Sequence, residues 1–106
     1  MKTRYFAALI AALSVSAAAF ASDNGEALFK HGNCIACHAT DRKSVGPSLK
    51  DIALKYAGDK EAHAKLEKKV RSGGSGVFGP MPMPATAKTV SDGDIKTIVA
   101  WILSLK

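Results

Sequence analysis

Two cysteines and a histidine lie close together in the segment CIACH, at Cys34, Cys37 and His38. Three kinds of chemistry use such a cluster: a redox-active disulfide, part of a zinc site, and the covalent attachment of a haem. In haem attachment the two thiols bond to the two vinyl groups of one haem, and the adjacent histidine becomes an iron ligand. Each alternative needs different support from the rest of the sequence.

Zinc and a thioredoxin-like dithiol are both disfavoured. A structural zinc site needs four ligands, usually as two pairs, but the sequence has no other cysteine, and His31 and His63 form no ligand pair. A thioredoxin-like motif lies where a strand meets a helix in a βαβ unit, and no strand pattern is present. Haem attachment is therefore favoured, and a plain Cys34–Cys37 disulfide in a structural binding module is kept as an alternative.

A haem iron bound by His38 has one further axial position, and its occupant separates an electron carrier from an enzyme or a sensor. The segment GPMPMPA contains two methionines, Met81 and Met83, between prolines. Proline restricts the backbone, so we expect this segment to be a stiff arm that holds a thioether against iron. Both methionines are candidates on this argument. If neither binds, an open iron would permit peroxide or gas chemistry.

The first 21 residues have the three parts of a secretory signal peptide: a basic start (MKTRY), an uncharged run, and the ending AFA. We expect cleavage after Ala21 and one exported domain over residues 22–106, without a membrane anchor. Loss of two basic residues lowers the net charge from +6 to +4. Basic and acidic residues are mixed in this domain, so we do not expect it to bind nucleic acid.

Four helices and no strand are predicted to position these residues. They cover about residues 23–31, 48–58, 59–73 and 91–105, with the expected N-caps Asp23, Ser48, Asp59 and Ser91. The long loop 72–89, rich in glycine and proline, carries both methionines. After cleavage the domain keeps only four aromatic residues: Phe29, Tyr56, Phe78 and Trp101. A domain this short often needs a disulfide, a metal or a cofactor for stability, and an apolar cofactor in the core would provide it.

The segments LFKHGNCIACH, VGPSLKDIALKYAG, GSGVFGPMPMP and AWILSLK resemble, in order and spacing, the small class I bacterial cytochromes c of the cytochrome c-551/c-552 group. The resemblance covers nearly all of residues 22–106. It implies an all-α fold of about four helices wrapped around one covalently attached haem c. Phe29 and Trp101 match core aromatics where the first and last helices cross.

The resemblance also implies a function. The protein would be a periplasmic, monomeric electron carrier, and not an enzyme, acting between respiratory redox proteins. Candidate partners are nitrite reductase, a terminal oxidase, cytochrome c peroxidase and an upstream quinol-oxidising complex. Basic residues such as Lys43, Lys50 and Lys55 would attract acidic partners.

Roles for individual residues follow from the same resemblance. The implied roles are covalent haem attachment for Cys34 and Cys37, axial ligation of iron for His38 and Met83, and acceptance of a hydrogen bond from His38 for the Pro47 carbonyl. Met83 matches the family's methionine because it lies in a Pro-Met-Pro step after a Gly-Pro pair. Met81 is then expected to pack rather than to bind iron.

The sequence departs from the family on both sides of Met83. Phe78 stands where the family commonly has a tryptophan that donates to a haem propionate, and a phenyl ring has no donor. Lys69 or Arg71 is the expected replacement. After the methionine the family often has a second proline and then an asparagine, and this sequence has Ala85 and Thr86.

Overall fold

The structure of the protein, a computed structural model, describes residues 18–106, with side chains from Asn24 onward. Its elements, in chain order, are α1 (Ala18–His31), a 3₁₀ turn (Cys34–Ala36), α2 (Leu49–Lys55), α3 (Ala62–Ser72) and α4 (Asp92–Leu103). Residues 18–106 contain no β-strand, so the predicted all-α class is confirmed. The predicted signal peptide lies almost entirely outside the described residues, and its cleavage stays a prediction.

Two helices begin where the sequence predicts. The hydroxyl of Ser48 accepts the backbone N–H of Asp51 at 3.1 Å, and that of Ser91 accepts the N–H of Asp94, also at 3.1 Å. Each hydroxyl satisfies one of the N–H groups that a helix leaves unpaired at its start. These two caps therefore set the first residues of α2 and α4.

The third helix begins later than the sequence predicts. The carboxylate of Asp59 accepts the N–H of Glu61 at 2.9 Å and closes a turn, so α3 begins only at Ala62 with Glu61 as its N-cap. The first helix, α1, is described from Ala18, the first described residue, and it runs through Asp23 in the uncleaved chain. Asp23 as the N-cap stays a prediction for the cleaved chain.

The core forms where α1, α2 and α3 pack against α4. The buried residues of α4 are Ile95, Ile98, Val99, Trp101 and Ile102. The ring of Trp101 lies 5.4 Å from that of Phe29 in α1, which confirms the predicted crossing of the first and last helices. Gly25 makes this crossing close, because a Cβ there would overlap the Cβ of Trp101. None of the described helices is long and apolar enough to cross a membrane.

Candidate functional site

A cavity of about 620 Å³ opens between the CIACH segment and the loop that carries the methionines. It is lined by Cys34, Cys37, His38, Met81 and Met83, among others. It also reaches the hydrophobic core, through the lining residues Phe29, Leu49, Ile52, Leu66, Ile98, Val99 and Ile102. Pockets for small molecules and cofactors have volumes of about 300–1,000 Å³ and mostly apolar walls. Both properties fit a cofactor that completes the core.

A tight turn brings the two cysteines and the histidine to this cavity. The carbonyl of Cys34 accepts the N–H of Cys37 at 3.1 Å and the N–H of His38 at 3.0 Å. Asn33 precedes the turn with φ 64°, a left-handed conformation that asparagine tolerates well. No disulfide joins the two cysteines. Burial raises the pKa of the Cys34 thiol, with the nearby Cys37 adding to the effect.

The orientation of the His38 ring is defined by its neighbours. Its Nδ1 lies 2.8 Å from the carbonyl oxygen of Pro47. A carbonyl can only accept, so Nδ1 carries the proton and the lone pair of the neutral ring lies on Nε2, the nitrogen that can bind a metal. Gly46 packs against the same ring, because a Cβ there would lie 2.6 Å from Cε1. The N–H of Gly46 also donates to the carbonyl of Cys37 at 2.8 Å.

The two methionines differ in their surroundings. Met83 is half-buried and exchanges two backbone hydrogen bonds with Gly74, with N–O distances of 2.8 and 2.9 Å. Met81 is 64% exposed. Gly73, at φ 70°, passes so close to the carbonyl of Met83 that a Cβ would overlap it. The sequence shows Gly73 and Gly74 only as the end of a helix, and their contact with Met83 appears only in the structure.

Phe78 stands at the position where the family commonly has a tryptophan. Phe78 is 43% exposed, and the Nζ of Lys55 lies 5.6 Å from the centre of its ring. Of the two basic residues expected to replace the tryptophan donor, Lys69 is half-buried and lines the cavity. Arg71 instead donates to Asp92 and to backbone carbonyls of residues 86–90.

The residues around the cavity fit a covalently attached haem. Two free thiols are available for bonding, and an imidazole with its lone pair on Nε2 suits iron. The loop that carries the methionines offers a thioether, and the remaining walls of the cavity are largely apolar. An all-α fold with this set of groups defines a c-type cytochrome.

Comparison with known proteins agrees with this class. The family model described as cytochrome c matches residues 22–106. The chain is 42% identical over 106 residues to cytochrome c-551 of Pseudomonas aeruginosa and 45% identical over 106 residues to cytochrome c-552 of Nitrosomonas europaea, covering 100% of both chains in each case. The crystal structure of wild-type Nitrosomonas europaea cytochrome c552 aligns with a TM-score of 0.73 and 51% identity, covering 76% of this chain and 99% of that one.

The chain therefore belongs to the cytochrome c family, and within it to the small class I cytochromes of the c-551/c-552 type. It is a mono-haem electron carrier, and its cofactor is one covalently bound haem c. These findings confirm the resemblance, the fold and the cofactor that the sequence predicts.

Proposed function

We propose that this protein is a periplasmic electron carrier whose haem is bound to Cys34 and Cys37 and whose iron is held between His38 and Met83. The observation that carries the proposal is the cavity itself. It is lined by both thiols, by the imidazole and by the more buried of the two methionines. The haem iron supplies a reversible one-electron change between its ferric and ferrous states.

The proximal side depends on His38 being held in one orientation. The bond from Nδ1 to the Pro47 carbonyl fixes the ring and increases the basicity of Nε2. Gly46 lets the backbone pass against the ring and prevents it from tilting towards residues 46–47. A ring held in this way would keep one position as an iron ligand in both oxidation states, which would favour rapid electron transfer.

The distal side depends on Met83. A thioether ligand raises the reduction potential of haem iron and occupies the position at which oxygen or peroxide would bind. The backbone bonds between Met83 and Gly74 hold the residue at the cavity, whereas Met81 is mostly exposed. This difference supports Met83 as the ligand and electron transfer, without catalysis, as the function.

Lys69 is proposed to neutralise a haem propionate. Phe78 cannot donate a hydrogen bond, while Lys69 lines the cavity as a half-buried cation. Placing an anion next to it would satisfy both charges. Arg71 is engaged elsewhere, so Lys69 is the better candidate of the two.

Export and partner choice are part of the same proposal. We infer cleavage after Ala21, supported by the basic, apolar and AFA parts of the leader and by the family match that begins at residue 22. The mature chain would act as a monomer with acidic redox proteins of the respiratory chain. Lys43 is exposed at the cavity, whereas Lys50 is paired with Asp41 at 2.7 Å and contributes less to steering.

Mass spectrometry of the protein isolated from the periplasm tests attachment and export together. We expect a chain that begins at Ser22 and carries the mass of one haem. A chain without this added mass would contradict covalent attachment through Cys34 and Cys37. A chain that still begins at Met1 would contradict cleavage.

Absorption spectra of the ferric protein test the distal ligand. We expect the weak methionine–iron charge-transfer band in the wild-type protein, its loss in Met83→Ala, and its retention in Met81→Ala, which is the matched control. Retention in Met83→Ala with loss in Met81→Ala would move the ligand to Met81. A high-spin wild-type spectrum that changes on addition of peroxide would contradict the electron-carrier proposal.

A further inference from the structure

All three guanidinium nitrogens of Arg71, near the end of α3, donate hydrogen bonds to the segment that follows Met83. Nε and one terminal nitrogen donate to the same carboxylate oxygen of Asp92, at 3.0 and 2.7 Å. That terminal nitrogen also donates to the carbonyl of Val90 at 2.6 Å. The other terminal nitrogen donates to the carbonyls of Thr86 and Ala87, both at 3.3 Å. These five bonds match the five N–H donors that an arginine has.

A second set of bonds joins the same two parts of the chain. The hydroxyl of Thr86 donates to the carbonyl of Val70 at 2.6 Å, and its N–H lies 3.3 Å from the carbonyls of both Val70 and Arg71. The last carbonyls of a helix have no partners within it. The segment after Met83 therefore caps α3, and α3 in turn holds that segment.

Met83 lies between two attachments to the end of α3. On one side it exchanges backbone bonds with Gly74, and three residues later Thr86 is bound to Val70 and Arg71. Residues 75–82 line the cavity, and among the described residues their only backbone hydrogen bond, from Gly76 to Gly79, stays within the loop. The position of Met83 thus depends on the contacts that hold residues 83–87 against the end of α3.

We propose that Arg71 is a positioning residue that holds the thioether of Met83 in place, acting through Thr86, Ala87 and Val90 rather than by touching the haem. This inference rests on the proposed role of Met83 as an iron ligand. Arginine suits the task because its planar fork is rigid and always charged. A cation at the end of a helix is also favoured by the helix dipole.

Competition with imidazole measures how firmly Met83 is held. Imidazole added to the haem-loaded ferric protein can bind iron only when the methionine leaves, so the concentration at half-displacement reports the retention of Met83. In Arg71→Met we expect this concentration to fall about 10-fold or more, the usual effect of losing a residue that supports a metal ligand. The methionine–iron band provides the readout.

Two milder variants keep the test decisive if Arg71→Met does not accumulate. Arg71→Lys keeps the charge but loses the fork, and Thr86→Val keeps the shape but loses the hydroxyl bond to Val70. Both should fall between Arg71→Met and the wild type. Lys68→Met removes a positive charge from an exposed position of the same helix and should titrate like the wild type.

The outcomes separate this inference from the proposed function. If Arg71→Met and Thr86→Val lower the melting temperature but leave the imidazole titration unchanged, Arg71 is only a structural residue and the inference is wrong. An equal shift in Lys68→Met would also overturn it, since charge alone would then explain the effect. Retention of the band in Met83→Ala would instead overturn the ligand assignment, whatever Arg71 does.

Discussion

The CIACH segment and the methionine loop hold their proposed iron ligands in different ways. His38 is fixed by residues close to it in sequence, and the most distant of them, Pro47, is nine residues away. Met83 also has backbone bonds to a residue nine positions away, Gly74. The segment that follows Met83 is instead held by Arg71, whose hydrogen bonds reach residues 15 to 21 positions away in sequence.

The difference predicts unequal stability for the two sides of the haem. The proximal turn is short, its main bonds are local, and covalent attachment would strengthen it further. The distal segment is a long loop whose hydrogen bonds to the rest of the described chain come from its ends, and it needs α3 and α4 in place. Regions with few buried contacts and exposed backbone bonds open at a lower free energy than the core. We expect Met83 to leave the iron well before His38 as denaturant is added.

The largest expected effect removes the support that both sides share. Ile98 is 1% exposed and lines the cavity. Ile98→Ala should lower the free energy of unfolding by about 2–5 kcal/mol, because it leaves a void in the core. Chemical denaturation followed by absorbance and by circular dichroism would measure it. The two ligand sides should weaken together, and selective loss of the Met83 side would contradict this view of Ile98.

Gly73→Ala should disturb only the position of Met83 and leave the His38 side of the site intact. The backbone at Gly73, with φ 70° and ψ −164°, lies in a region open almost solely to glycine, and strain there costs about 1–3 kcal/mol. The overlap of the new Cβ with the Met83 carbonyl adds to this. The methionine–iron band should weaken, while hydrogen exchange at the backbone amides of Cys37, His38 and Gly46 keeps its wild-type rate. Gly58→Ala, also at positive φ with open space around it but outside the lining of the haem cavity, is the matched control.

Gly46→Ala should break only the histidine side. A Cβ there would lie 2.6 Å from Cε1 and 2.9 Å from Nδ1 of His38, so the ring must move or the backbone must shift. We expect a loss of about 1–3 kcal/mol, as for other overpacked sites. NMR spectra should show changed His38 ring signals, with the methionine–iron band retained. Loss of that band would contradict a change confined to the histidine side.

The smallest effect should involve neither side. A hydrogen bond and ion pair with Lys65 lower the pKa of the Asp59 carboxyl, helped by the N–H of Glu61. Because the folded-state pKa lies below the unfolded value of about 3.9, the stabilisation is present above pH 4 and disappears as pH falls through the lower folded value. Asp59→Asn should therefore lower the urea midpoint slightly at pH 7 and leave it unchanged in strong acid. An equal loss at both pH values would rule out the ion pair as the cause.

Much of the fold was predictable because local patterns define it. The apolar spacing of α2 and α4 and the capping serines Ser48 and Ser91 correctly predicted two helices and their starts. The start of α3 was not predicted, since the Asp59 turn delayed it, and the predicted start of α1 at Asp23 stays a prediction for the cleaved chain. The predicted crossing of Phe29 and Trp101 was confirmed, but the reason for Gly25 was visible only in the packed helices.

For the site, the sequence favoured a covalently attached haem, because two thiols and an imidazole lie within five residues, and the family resemblance identified that cofactor. The residues alone named both methionines and the resemblance selected Met83, but neither could show how a methionine is held. The tertiary structure decided that Met83 is the one bonded to Gly74 and half-buried, and that Arg71 secures the segment behind it. Those bonds join residues up to 21 positions apart, so they exist only once α3 and α4 have packed together.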